Sequence, residues 1–203
     1  MKGFTIKTEI GEYDTFGEYA AQAELGPQDL VLCGEHTYDK YVAPLSLGVQ
    51  TLFREKYGKG EPTDGMVDAI LDSLREKEFD RIIAIGGGTV VDIAKVVAVA
   101  GKEDKVDDLY DNVDKLKKVH SLVIIPTTCG TGSEVTNISV INRVSKGVKM
   151  GLASNAMLAD KAVMITNMLD SLPYKIFATS SIDAMVHSVE SFLSPNGCSI
   201  SRI

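Results

Sequence analysis

Residues 81–102 constrain this chain more than any other stretch. Ile82, Ile83, Ala84 and Ile85 form a short β-branched apolar run, the pattern of a strand buried on both faces. Gly86, Gly87 and Gly88 follow, and Thr89 stands where a helix N-cap belongs. Val90, Val91, Ile93, Ala94, Val97 and Ala98 then supply an apolar face at helical spacing. A strand, a glycine turn and a helix N-terminus make a phosphate-binding geometry. Glycines let the backbone approach, the first helical N–H groups are free, and the helix dipole favours an anion. The run is G-G-G-T rather than G-x-G-x-x-G, so by itself it also fits a tight turn with no ligand.

A second glycine loop, Pro126-Thr127-Thr128-Cys129-Gly130-Thr131-Gly132-Ser133-Glu134, follows another apolar strand, Leu122 to Ile125. Two polar glycine loops at two strand ends predict one crevice at the carboxyl edge of an open α/β sheet, where such sheets bind ligands.

At 203 residues the chain holds one ample domain, or one domain and the start of another. A net charge of −7 argues against nucleic acid or an anionic membrane as partner. No apolar run approaches the roughly 18 residues that span a bilayer, and residues 1–9 carry no long apolar region, so a cytoplasmic protein is expected. Cys33, Cys129 and Cys198 are odd in number, without metal-type spacing, and read as reduced thiols. Cys129, in the second loop, needs a nearby base to act as a nucleophile. His120 is expected at the far end of the intervening strand.

Along the chain, Phe4 to Ile10 reads as an edge strand, Tyr13 to Ala23 as a short helix, and Asp29 to Gly34 as a buried strand and turn. Glu35, just beyond, is either a solvated loop charge or an acceptor for a ribose diol that favours NAD over NADP. Gly48 to Phe53 is a further strand and Arg54 to Thr63 a loop. Asp64 is expected to cap a helix whose apolar face holds Met66, Val67, Ile70, Leu71 and Leu74. The mixed charges of Lys102 to Lys118 suggest a solvated surface segment. Val135 to Asn142 and Val148 to Ala153 flank a turn at Lys146-Gly147 as a hairpin, and Ala162 to Ile165 is a last strand. Strands alternating with helices predict a mainly parallel, Rossmann-like α/β sheet with flanking helices.

The segment from Leu172 to Leu193 has helical periodicity through Met185, Val186, Val189 and Phe192. Asp183 and His187, four residues apart, project from one face. They are either half of a divalent-metal site suited to zinc or ferrous iron, or a helix-stabilising pair. Glu190 is a third ligand or a plain surface charge.

Three stretches together resemble one family. Gly86 to Lys95 resembles the GGGS-x-x-D-x-x-K element of iron-containing (group III) alcohol dehydrogenases. Pro126 to Thr136 is similar to their PTT-x-GTGSE-x-T element, and Ser181 to Ser191 to their G-x-DALTHA-x-E element. Within the family, Phe53 to Pro62, Thr127 to Thr131 and Leu172 to Lys175 resemble the 4-hydroxybutyrate dehydrogenase subfamily. The resemblance implies a dinucleotide-binding domain, residues 1–170, and the first helix of an all-helical metal-binding domain, residues 171–203. It implies NAD(P)-linked interconversion of alcohols and aldehydes with one ferrous or zinc ion, in the full-length parent that of 4-hydroxybutyrate and succinate semialdehyde. Gly86, Gly87, Gly88 and Thr89 would hold the pyrophosphate, with Asp92 in the same motif. Thr127, Thr128 and Thr131 would line the cofactor, and Asp183 and His187 would be two of four metal ligands.

The family draws its other two metal ligands, both histidines, from beyond position 203. Neither His36 nor His120 lies in a matching motif. Gly197 to Ile203 departs from the family pattern, Thr89 replaces Ser, and Ile165-Thr166-Asn167 stands where many members have Asp-Pro-Glu. The expectation is a nucleotide-binding half with one metal-bearing helix, or a nucleotide-binding module without catalysis. The apolar face of that helix, with Met185, Val189 and Phe192, is expected to self-associate as a homodimer.

Overall fold

The structure, a computed structural model, describes residues 6–170, 172–195 and 197–198. Its centre is a six-stranded, all-parallel sheet in the order β1-β8-β5-β4-β2-β3. The strands are β1 (Glu9–Glu12), β2 (Asp29–Cys33), β3 (Gln50–Phe53), β4 (Arg81–Gly86), β5 (Ser121–Pro126) and β8 (Lys161–Met164). An antiparallel hairpin, β6 (Ile138–Arg143) and β7 (Val148–Ala153), stands apart from it. The helices are α1 (Phe16–Gln22), one-turn α2 (Glu35–Thr37), α3 (Asp64–Leu74), α4 (Gly88–Val97), α5 (Val106–Asp111) and α6 (Tyr174–Leu193).

Alternation along β4 shows why the sheet is covered on both faces. Ile82 and Ala84 pack with α3, α4 and α5, while Ile83 and Ile85 pack with α1 and the segment around Val42. Both sets are fully buried, so β2, β4 and β5 tolerate no polar alternation. The expected edge strand is β1. Its pairing begins at Glu9, and Phe4 and Thr5 of the expected run lie outside the described residues.

Several sequence expectations shift in detail. Helix α4 begins at Gly88 with Gly87 as its N-cap, so Thr89 falls inside the first turn; the third glycine already adopts helical geometry. Helix α3 is capped by Thr63, whose hydroxyl accepts from Met66 N–H at 3.1 Å, and Asp64 is its first helical residue. The loop from Arg54 to Thr63 opens with a 3₁₀ turn, Arg54–Lys56. The charged segment Lys102 to Lys118 contains α5, because Val106 and Leu109, three apart, bury against α3. The Asp68 carboxylate accepts from Val106 N–H at 2.8 Å and ties the two helices.

Helix α6 differs from the rest: none of its residues is buried, and Met185, Val189 and Phe192 are each more than half exposed. Among the described residues no helix is long and apolar enough to cross a membrane. Of the divergent tail, Gly197 and Cys198 are described and residues 199–203 lie outside the described residues.

Candidate functional site

The two glycine loops meet because their strands are neighbours. Strands β4 and β5 pair in parallel with Gly86 opposite Pro126, and Thr127 N–H donates to the Gly86 carbonyl at 3.1 Å. Each glycine has its own steric duty. A β-carbon on Gly86 would lie 2.6 Å from Val90 Cγ2, so the turn into α4 closes only over a bare backbone. One on Gly87 would press on Thr128 Cγ2 at 3.1 Å, while Gly88 faces open space. The start of α4 is thus a concave, unobstructed backbone surface with free N–H groups.

The second loop turns through left-handed positions at Gly130 (φ +129°) and Gly132 (φ +63°). Its Thr131 hydroxyl accepts from Ser133 N–H at 3.3 Å. On its far side stands α6, where Ser180 Oγ lies 3.8 Å from Cys129 Sγ. Between α4, this loop, the hairpin and α6 lies a crevice of about 1260 Å³. Gly88, Thr89, Asp92, Thr131, Asp183 and His187 all face it.

Asp183 and His187 meet as their spacing predicts, with Nδ1 3.7 Å from Oδ2. Glu190 does not join them: among the described residues no three His, Cys, Asp or Glu side chains cluster as a metal site. One carboxylate and one imidazole suit zinc or ferrous iron but supply two of the four donors a tetrahedral ion needs. The described residues alone are therefore an incomplete metal site.

Below the crevice floor, Lys95 is fully buried, an arrangement not legible in the helical periodicity. Its ammonium donates to the Ile138 carbonyl at 2.7 Å and the Thr136 hydroxyl at 2.9 Å, tying α4 to the hairpin. Burial lowers the Lys95 pKa to about 8, against the pull of Asp92 and Glu134. Burial raises the Asp92 carboxyl to about 6, opposed by Lys95 and by a hydrogen bond from Val140 N–H. At the rim, Lys149 of β7 and Glu61 form an ion pair at 2.7 Å. Both line the crevice and both were missed, since each reads as an ordinary surface charge until the hairpin folds back.

The other candidates sit elsewhere. His120 precedes β5, stacks on Phe79 with centroids 4.2 Å apart, and is at the end of the sheet opposite the glycine loops. Cys129 consequently has a hydroxyl rather than a base at its thiol. Glu35 opens α2 and is exposed; it does not line the crevice around α6.

The family profile described as iron-containing alcohol dehydrogenase matches residues 5–166, which include both glycine loops. The chain belongs to the iron-containing alcohol dehydrogenase family. It is 40% identical over 196 residues to the 4-hydroxybutyrate dehydrogenase of Clostridium kluyveri, covering 97% of this chain and 53% of that protein. The chain thus spans about half the length of that relative. Among solved structures, the iron-containing alcohol dehydrogenase of Thermotoga maritima superposes with a TM-score of 0.80 at 27% identity, over 95% of this chain and 55% of that one. The sulfoacetaldehyde reductase of Bifidobacterium kashiwanohense, solved in complex with NAD+, gives a TM-score of 0.81 at 22% identity. It covers 97% of this chain and 54% of its own, and shows the shared fold. The chain therefore shares the fold of these relatives.

Proposed function

We propose that this chain is the nucleotide-binding half of an NAD-linked, metal-assisted dehydrogenase that interconverts 4-hydroxybutyrate and succinate semialdehyde. The observation that carries this reading is one crevice bounded by the start of α4, the second glycine loop and the Asp183–His187 pair. Residues 1–170 are the dinucleotide-binding domain and residues 171–203 the beginning of a helical metal-binding domain. The protein works in the cytoplasm as a homodimer on small alcohols and aldehydes.

The bare backbone of Gly86 to Gly88 and the Thr89 N–H receive the pyrophosphate, with Asp92 one turn deeper on α4. Thr127, Thr128 and Thr131 line the path toward α6, where the nicotinamide would lie near Asp183 and His187. When bound, a nicotinamide would supply the hydride acceptor or donor, and a ferrous or zinc ion would supply polarisation of the substrate oxygen. Asp183 and His187 would hold one side of that ion.

NADH consumption with succinate semialdehyde and ferrous iron under anaerobic conditions tests this. Turnover is the expected result if the missing donors arrive from another chain. A second reading rests on the two-donor set: a folded chain that binds NADH but shows no turnover is a nucleotide-binding module. A folded chain that binds no NADH removes both readings.

A further inference from the structure

The carboxyl edge of β2 carries a feature that the glycine loops do not explain. Strands β2, β3 and β4 end level, with Cys33 opposite both Phe53 and Ile85. Gly34 and Gly86 each follow directly on that paired position, Cys33 opposite Ile85. A β-carbon on Gly34 would lie 2.6 Å from Glu55 Oε1, and its three nearest atoms would all belong to the Glu55 carboxyl group. Glu55 comes from the turn after β3, yet its carboxylate stands over the end of β2, next to the strand that bears the glycine cradle.

That carboxylate is uncommitted. Among the described residues no ion pair includes Glu55. Its flanking cations are turned to other partners: Arg54 donates to the Gly60 carbonyl at 3.3 Å, and Lys56 Nζ sits 5.0 Å from the Phe53 ring centroid. The field at the strand end agrees. Burial pushes the Cys33 thiol up to about 12, and the negative charges of Glu55 and Asp39 add to that. In nucleotide-binding α/β sheets, an acidic side chain at the end of the strand beside the glycine strand accepts from the adenosine ribose diol and repels a 2′-phosphate.

We propose that Glu55, placed over Gly34, is the residue that selects NAD(H) over NADP(H), in the role that Glu35 could fill by sequence position alone. This rests on the dinucleotide reading above. Gly34 is bare because the reading group arrives from β3: its own side chain would occupy the space the Glu55 carboxyl fills.

Fluorescence titration of the 203-residue chain with NADH and, separately, NADPH tests this. The unmodified chain should bind NADH more tightly. Glu55→Gln should narrow the ratio of the two dissociation constants by about tenfold or more, through weaker NADH and stronger NADPH binding. Glu35→Gln and Asp39→Asn should leave that ratio unchanged. Gly34 has φ −82°, which any residue adopts, and its β-carbon would point at the vacated carboxyl position. Glu55→Ala empties that position, so Gly34→Asp in the Glu55→Ala background should restore the NADH preference. An unchanged ratio in Glu55→Gln, or a ratio that moves with Glu35→Gln instead, overturns the proposal while leaving dinucleotide binding intact. An unmodified chain that binds neither nucleotide overturns the dinucleotide reading and this proposal with it.

Discussion

Gly130 packs directly against Ser180: a β-carbon on Gly130 would run into the Ser180 carbonyl oxygen of α6, with Ala184 Cβ close behind at 3.2 Å. This contact sets how close the second glycine loop comes to the helix that carries Asp183 and His187. Because α6 buries no side chain, its position depends on few such contacts.

Gly130→Ala should displace α6 from the loop. The position is costly twice over, since φ is +129° and the obstacle is backbone rather than a movable side chain. A loss of about 1–3 kcal/mol of stability is expected. Hydrogen exchange should show faster exchange in α6 while β4 and β5 remain protected. Unchanged protection of α6 would show that the loop does not position it.

Asp64 joins α3 to the hairpin turn. Its carboxylate accepts from Ser145 Oγ at 2.5 Å, Ser145 N–H at 3.1 Å and Val144 N–H at 3.2 Å. Burial raises its pKa, but the bonds from Ser145, Gly65 and Val144 outweigh that and hold it below the ordinary 3.8. A depressed carboxyl stabilises the fold above its unfolded-state pKa, and this contribution is lost as pH falls through the folded value. Asp64→Ala should cost about 1.5–3 kcal/mol at pH 7. Asp64→Asn should flatten the dependence of the urea midpoint on pH below about 4.

Asp92 and Lys95 predict a shallow stability minimum at neutral pH. Asp92 titrates at about 6 in the fold and 3.8 in the unfolded chain, so the native state binds more protons and stability falls as pH rises across that interval. Lys95 titrates at about 8 rather than 10.5, so stability rises again from about pH 8. Each limb should amount to about 3 kcal/mol. Denaturation across the pH range should show Asp92→Asn abolishing the acidic limb and leaving the alkaline one. An acidic limb that survives the substitution would reassign it to other carboxyls.

The exposed face of α6 predicts self-association. Met185, Val189 and Phe192 are 60%, 51% and 53% exposed. Burying such side chains yields roughly 1.5–3 kcal/mol each. Sedimentation at micromolar concentration should give a dimer for the unmodified chain and a monomer for Phe192→Asp. If Phe192→Asp sediments like the unmodified chain, the interface lies elsewhere.

Much of the architecture was legible because periodicity reports burial. The apolar runs at 82–85 and 122–125 have no polar alternation, and they became the two central strands buried on both faces. The turn at Lys146-Gly147 was legible because Gly147 takes φ +64°, which side-chain-bearing residues avoid. The cap positions were less so. Threonine at 89 and aspartate at 64 are good capping types, yet the helices start earlier than those types alone suggest, by two residues for α4, capped by Gly87, and by one for α3, capped by Thr63.

By itself the amino-acid sequence determined the order of the strands' burial, the two glycine turns and the i, i+4 meeting of Asp183 with His187. Each is a local property, set by side-chain spacing within one element or by the backbone freedom of glycine. Tertiary structure alone decided which distant charges share a space. The burial of Lys95 under the hairpin, the Lys149–Glu61 pair at the crevice rim and the Glu55 carboxylate above Gly34 all arise between separate elements. Electrostatic neighbours are a matter of ångströms in space, and parallel strands joined by crossovers bring together residues that spacing along the chain cannot relate.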